Sequence, residues 1–448
     1  MRAPRHMARL IIDTDMSIDV DDVGAMCVAH ALADLGEAEI LAVIHDTGLH
    51  SGVGALSVIN EYLGRPDIPI GAYRGHEGSP EVIHDPDWTN HGRGWYVDEL
   101  ISEFPSSIRN ASQASDALLV YRTVLARAVD NSITVVAIGF GTTLLELLES
   151  PPDSASPLPG RWLAAKKLKK LVFMGGREIF HHNIAADAFS EADPVEWNFG
   201  ACGGKGCGRG YDHVGAITAR LLAAWPSTVP VVFVGFESGA PVHTGNILKS
   251  NAPNSSQCKR AYEIFCEHLR GWCVSYWDAL GTELGGRSSW DPMSIILAVR
   301  TEASHYKFVP GHNVIDPATG ANNWTHGLKA TFFSSTVYEE LWRLVVSKSC
   351  VRSLSIASGK ASGTTSAATA ATTATTSATI AATHEDKPDT FPIAAIAVTL
   401  AVPIPFLTNS CTLGAKQKPH LHGCTCLRRT IGIPVERQPP TNSYSDGI

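Results

Sequence analysis

Up to about residue 345, apolar and polar positions fall into two kinds of block. Short unbroken apolar runs, such as Leu10-Ile11-Ile12 and Ile133 to Ile138, have the length of strands buried on both faces. Between them lie stretches whose apolar side chains recur at helical spacing. This pattern predicts strands near 10–12, 39–46, 68–73, 133–140, 170–176 and 229–237. It predicts helices near 23–32, 57–63, 116–130, from 141 onward, 213–224, 261–271 and 293–299. Strand and helix alternate, so the expected fold is α/β, a mostly parallel central sheet flanked by helices. In such sheets ligands bind outside the carboxyl ends of the strands.

The first strand runs into Asp13-Thr14-Asp15-Met16-Ser17-Ile18-Asp19-Val20-Asp21-Asp22, five acids within ten residues. A helix cap and the helix dipole account for one or two of them. Carboxylates packed this closely stay ionised together only with positive charge among them. The cluster therefore asks for a hard divalent cation with oxygen ligands. Gly52-Val53-Gly54-Ala55-Leu56-Ser57 half matches a dinucleotide fingerprint, but the third glycine is missing and the acidic first turn would repel a pyrophosphate. His84 to Tyr96 gathers His, Asp, Gly and Trp in a segment that reads as a loop, where Trp88 and Trp95 either pack or bind something. Asp291-Pro292 stands at a predicted helix entrance and could be an ordinary N-cap.

Asp13-Thr14-Asp15, a spacer, then Asp21-Asp22 resembles the N-terminal signature of the calcium-dependent nucleoside N-ribohydrolases, the inosine-uridine-preferring nucleoside hydrolase family. Later motifs follow in the same order: His91-Gly92, the Gly139 to Thr143 segment, Gly175-Gly176, Glu196-Trp197-Asn198 and Asp291-Pro292. The spacer here is two residues longer than the usual one, and Asp19 is read as part of it. The resemblance implies a Rossmann-like nucleoside hydrolase fold over 9–350 and hydrolysis of the N-glycosidic bond of ribonucleosides. It implies Ca2+ held by Asp15, Asp22, the backbone carbonyl of Thr142 and Asp291, with Asp15 also the base for water. Asp21, Asn183, Glu196 and Asn198 are implied contacts of the nucleoside, Asp13 orients its neighbours, and His91 is a candidate donor to the departing base. Glu196 and Asn198, two apart on what reads as an extended segment, point to the same side and can both reach one sugar. Trp290 stands where pyrimidine-tolerant members carry His. An indole cannot protonate a base but can stack on a purine, so purine nucleosides are the expected substrates.

Two other readings stay open. Asp13-Thr14-Asp15 also comes close to the strand end of haloacid-dehalogenase-like phosphatases, in which Asp13 would accept a phosphoryl group. A degenerate relative could instead bind a nucleoside or ribose without turnover.

With 36 basic against 44 acidic residues the formal charge is −8, and no basic stripe supports a nucleic-acid partner. Ten cysteines lack the dense spacing of a small secreted scaffold, so free thiols and a cytoplasmic, reducing location are expected. Cys202, Cys207, Cys424 and Cys426 lack the paired spacing of a zinc site. The apolar run behind Arg2, Arg5 and Arg9 is too short for a signal-peptide core. The expected organisation is an extension at 1–8, the catalytic domain at 9–350, an Ala/Thr/Ser-rich linker at 353–390 and a tail at 391–448. The tail's apolar 391–407 stretch could touch a membrane, though Pro392, Pro403 and Pro405 argue against a spanning helix. Members of the family commonly form homo-oligomers, and the same is expected here.

Overall fold

Leu10 and Ile12 point to one face of strand β1 (Ala8–Thr14) and Ile11 to the other, because successive strand side chains alternate. All three are wholly buried, and they belong to two separate apolar clusters. The computed structural model describes residues 7–17, 19–75, 96–177, 195–200, 214–240, 242–245, 248, 252–268, 273, 286–300, 308 and 310–326. The chain divides into two units, Met1–Ser366 and Ala367–Ile448, and these residues all lie in the first. The expected linker and tail, like His91, Asn183, Trp88, Trp95, Cys202, Cys207, Cys424 and Cys426, lie outside the described residues.

After β1 come α1 (Asp21–Asp34), β2 (Ala38–His45), α2 (His50–Tyr62), β3 (Ile70–Ala72), α3 (Tyr96–Glu103), β4 (Ser115–Asp116) and α4 (Ala117–Arg127). The second half runs β5 (Ile133–Ala137), α5 (Thr142–Glu149), α6 (Gly160–Lys167), β6 (Leu168–Met174), α7 (Trp197–Gly200), α8 (Val214–Ala224) and β7 (Val231–Val234). Then follow α9 (Phe236–Gly239), β8 (His243–Thr244), α10 (Gln257–His268), β9 (Arg287–Ser288), α11 (Trp290–Val299), β10 (Gly311–Ile315) and β11 (Asn322–His326). The main sheet has seven strands in the order β4-β3-β2-β1-β5-β6-β7, every neighbouring pair parallel. The strand order reverses direction between β1 and β5, and a crevice opens at such a switch point beyond the carboxyl ends. Helices α1, α2, α3, α10 and α11 cover one face; α4, α5, α6 and α8 cover the other.

The expected α/β architecture is present, with differences in detail. Helix α2 begins at His50, seven residues before the apolar spacing suggested. Its glycines serve close packing: a Cβ on Gly52 would come within 2.0 Å of His45 Nε2, and one on Gly54 within 2.3 Å of Arg109 O. Helix α11 begins at Trp290, so Asp291 sits inside the first turn and is not the N-cap. Short helices α3, α6, α7 and α9 and the β10–β11 hairpin carry too few apolar positions to have declared themselves.

The cysteines correct an expectation. Cys27 in α1 is bonded to Cys258 in α10, and Cys266 to Cys273. Disulfides persist in oxidising compartments, which removes the ground on which free thiols and a cytoplasmic location were expected. Among the described residues no helix is long and apolar enough to cross a membrane.

Candidate functional site

Strand β1 ends one residue before Asp15, and α1 opens with Asp21 and Asp22. Across the crevice, the segment after β5 brings Gly139 so close that a Cβ there would lie 2.5 Å from Asp15 N and 2.3 Å from Asp46 Oδ2. Only a residue without a side chain lets β5 approach the acidic loop this way. From the far side, α11 delivers Asp291. Carboxylate oxygens of Asp21, Asp22 and Asp291 lie within 4.8 Å of one another, and all three residues are buried.

Asp21 is already partly engaged. Its Oδ2 accepts from Trp290 N at 3.1 Å and Asp291 N at 3.2 Å, so it caps α11 from another helix. Its second oxygen remains available for other work. Asp22 Oδ1 accepts a short hydrogen bond from Thr14 Oγ1. Asp15 is 8% exposed and lies outside the group of three; it feels the charges of Asp19 and Glu196 and accepts a hydrogen bond from the Trp197 side chain. Asp13 is fully buried, its Oδ2 accepting from Tyr121 Oη at 2.6 Å and Thr143 Oγ1 at 2.5 Å.

Asp46, next after β2, is a site residue that the sequence reading passed over. It is fully buried, and among the described residues neither of its oxygens has a donor, nor has Asp13 Oδ1. The two carboxyls face each other, a contact that becomes a hydrogen bond only when one of them carries a proton. The signal was present but faint: β2 ends in polar residues beside the end of β1, in register Thr14 to His45.

Burial raises the pKa values of Asp21, Asp22, Asp46 and Asp291 well above the usual carboxylate range, and the charges of neighbouring carboxylates, that of Asp15 acting on all four, raise them further. Asp13 and Asp15 are pushed up to about 7, again by burial first. This donor set fits a hard divalent cation. It consists of the buried carboxylate oxygens of Asp21, Asp22 and Asp291, backed by Asp13 and Asp46, whose oxygens include three without a hydrogen-bond donor among the described residues, and a cation would relieve their mutual repulsion. Thr142 is buried at the first position of α5, and its Oγ1 donates to Asp46 O at 2.6 Å. Helical geometry directs its carbonyl along the axis toward the N–H four residues on, so a ligand bond there would use the second lone pair.

Glu196 and Asn198 stand at the ends of β5 and β6 but not on an extended segment, because α7 begins between them. The Glu196 carboxylate accepts from Gly176 N at 2.8 Å, Asn198 N at 3.0 Å and Phe199 N at 3.2 Å. Burial pushes its pKa up to about 7 while these backbone donors pull it down. Asn198 Nδ2 donates to Ile138 O and Met174 O, both at 3.2 Å, fixing the amide across two strand ends. Trp290 is 5% exposed; its Nε1 donates to Phe236 O at 2.6 Å and its ring lies against Phe236 and Arg287. For this indole to stack on a base, one of those side chains must give way.

No protein-family model and no curated protein matches this chain. Solved structures do. A purine-preferring ribonucleoside hydrolase from Gardnerella vaginalis is 15% identical, with 76% of this chain and 97% of that one covered at a TM-score of 0.50. A plant nucleoside hydrolase is also 15% identical, with 77% of this chain and 100% of that one covered at a TM-score of 0.51. At such identity the likeness concerns architecture: the chain has the nucleoside hydrolase fold.

Proposed function

We propose that this protein is a nucleoside N-ribohydrolase that cleaves ribonucleosides, purines preferred, to free base and ribose. The observation that carries the reading is the convergence of buried carboxylates from β1, α1, β2 and α11 at the switch point of a parallel sheet. Asp22 and Asp291, with Asp15 and the Thr142 carbonyl, would hold Ca2+. The ion's chemistry there is to orient ribose hydroxyls and lower the pKa of a bound water.

The chain's own residues supply the rest. Asp15 takes the proton of the attacking water as general base. Asp21 uses its uncommitted oxygen to accept from a ribose hydroxyl. Glu196 and Asn198, both locked by backbone hydrogen bonds, hold the remainder of the sugar in place, which lowers the entropy cost of reaction. Asn183 is a further sugar contact and His91 a donor to the base. Purines are the proposed substrates because the side chain before Asp291 has no proton to give: the Trp290 N–H is held by Phe236 O. A purine ring offers a basic nitrogen to which His91 would donate. The proposed catalytic domain is 9–350, followed by a linker and a tail, in a homo-oligomer.

The phosphatase alternative is not favoured, since Asp13 is wholly buried and bonded to Tyr121 and Thr143, away from any phosphate ester. The direct test is release of free purine and free ribose in equal amounts from inosine, adenosine or guanosine. Binding without release would favour the degenerate nucleoside-binding reading. Asp46→Asn removes one charge from the buried cluster while keeping its shape. Base release is expected to fall about 10- to 100-fold, as for loss of a group that supports a metal site. At a pH above the raised pKa of Asp46, the cation-free variant is expected to melt at higher temperature than wild type, because there one source of repulsion is gone. Scanning calorimetry with chelator checks the second effect; a lower melting temperature would contradict it.

A further inference from the structure

Asp19 reads in sequence as spacer between Asp15 and Asp21-Asp22, yet it has a dedicated partner. Arg287 Nε donates to Asp19 Oδ1 and Oδ2 at 2.8 Å each, and Arg287 Nη2 donates to Oδ2. The Arg287 side chain is 6% exposed and that of Asp19 22%. Tyr96 Oη, from α3, donates to the backbone carbonyl of Asp19. The guanidinium also lies 4.9 Å from the Trp290 ring centroid and 5.8 Å from that of Phe265.

These contacts place Arg287 between the two elements that carry the carboxylates. It stands in β9, three residues before α11 begins and four before Asp291, and grips the loop that runs from Asp15 to the start of α1 at Asp21. The second tie between the same elements is Asp21 Oδ2 with Trp290 N and Asp291 N. A long loop costs more entropy to order than a short one, and an ion pair with two contacts is a directional way to fix it.

We propose that Arg287 and Asp19 are positioning residues: together they clamp the acidic loop onto the start of α11 and set the separation between Asp22 and Asp291 at which a divalent cation binds. This rests on the reading of the site as a cation site. Charge alone would give Arg287 the opposite effect, since a guanidinium near the ligands repels a cation. That difference in sign makes the clamp testable.

The experiment measures Ca2+ affinity of the full chain by titration calorimetry for wild type, Asp19→Asn, Arg287→Met and the double variant. It is paired with hydrogen exchange of the 15–22 segment in chelator. Asp19→Asn keeps shape at a partly exposed position, and Arg287→Met keeps the apolar stem against Trp290 and Phe265. Both single variants are expected to bind Ca2+ about 10-fold more weakly, with the double variant no weaker than either, as for two halves of one device. The 15–22 amides are expected to exchange faster in Asp19→Asn even without calcium. Opposite signs, with Arg287→Met binding more tightly and Asp19→Asn more weakly, would reduce the pair to electrostatics and overturn the clamp. Unchanged exchange of 15–22 would overturn it too. Wild-type protein that takes up no Ca2+ would instead contradict the cation site itself, whatever the exchange data show.

Discussion

Asp15→Asn is expected to lower the turnover of a purine nucleoside by about 100- to 10,000-fold, the range for loss of a general base. The amide keeps the size of the carboxyl and its hydrogen bond from Trp197 but cannot take a proton. Asp15 lies just beyond β1, outside the group formed by Asp21, Asp22 and Asp291 and within the field of Glu196. It is thus placed in the field of the residue proposed to grip the sugar. Steady-state kinetics at rising calcium separates its two proposed duties. A loss of kcat that persists at saturating calcium assigns Asp15 to proton transfer; full recovery would leave it only a ligand.

Cation-free protein is expected to lose stability as pH rises from about 4 to 8, the reverse of ordinary acid denaturation. The cited carboxyls have folded pKa values above their unfolded ones, so the folded chain binds more protons in that window. Stability therefore falls as pH climbs from the unfolded values through the folded ones, about 7 for Asp13, Asp15 and Glu196 and well above the usual carboxylate range for Asp21, Asp22, Asp46 and Asp291. Glu196 alone, shifted from 4.5 to about 7 by burial, contributes on the order of 3 kcal/mol of this loss. The proposed calcium ion would bind the ionised carboxylates and release their protons, so its stabilising effect should grow over the same window. Melting temperatures between pH 5 and pH 8, with chelator and with calcium, check this. A chelated protein as stable at pH 8 as at pH 5 would contradict it.

The sequence carried the sheet because strands buried on both faces read as unbroken apolar runs, as Leu10 to Ile12 and Ile133 to Ile138 do. It carried the acids from Asp13 to Asp22 as a group because carboxylates so dense need a common purpose, whereas Asp291 entered only through the family resemblance, which paired it with Asp15 and Asp22 and not with Asp21. The same residues hid other facts. That Asp21 caps α11, and that Asp291 sits inside that helix, depends on two elements 270 residues apart meeting at one point. Asp46 escaped notice because a single acid at a strand end resembles any loop residue. That Thr143 donates to Asp13 depends on the end of β1 meeting the start of α5. Arg287 offered no local signal, since its meaning comes only from Asp19, 268 positions away. Trp290 was legible as an aromatic beside Asp291, but its cover of Arg287 and Phe236 was not.

The most direct test of the central claim follows free base released from inosine by the full chain, first with calcium and then after exhaustive chelation. Release with calcium, its loss with chelator and its return on adding calcium back are the expected results. Folded, calcium-loaded protein that releases no base from inosine, adenosine or guanosine would contradict the assignment.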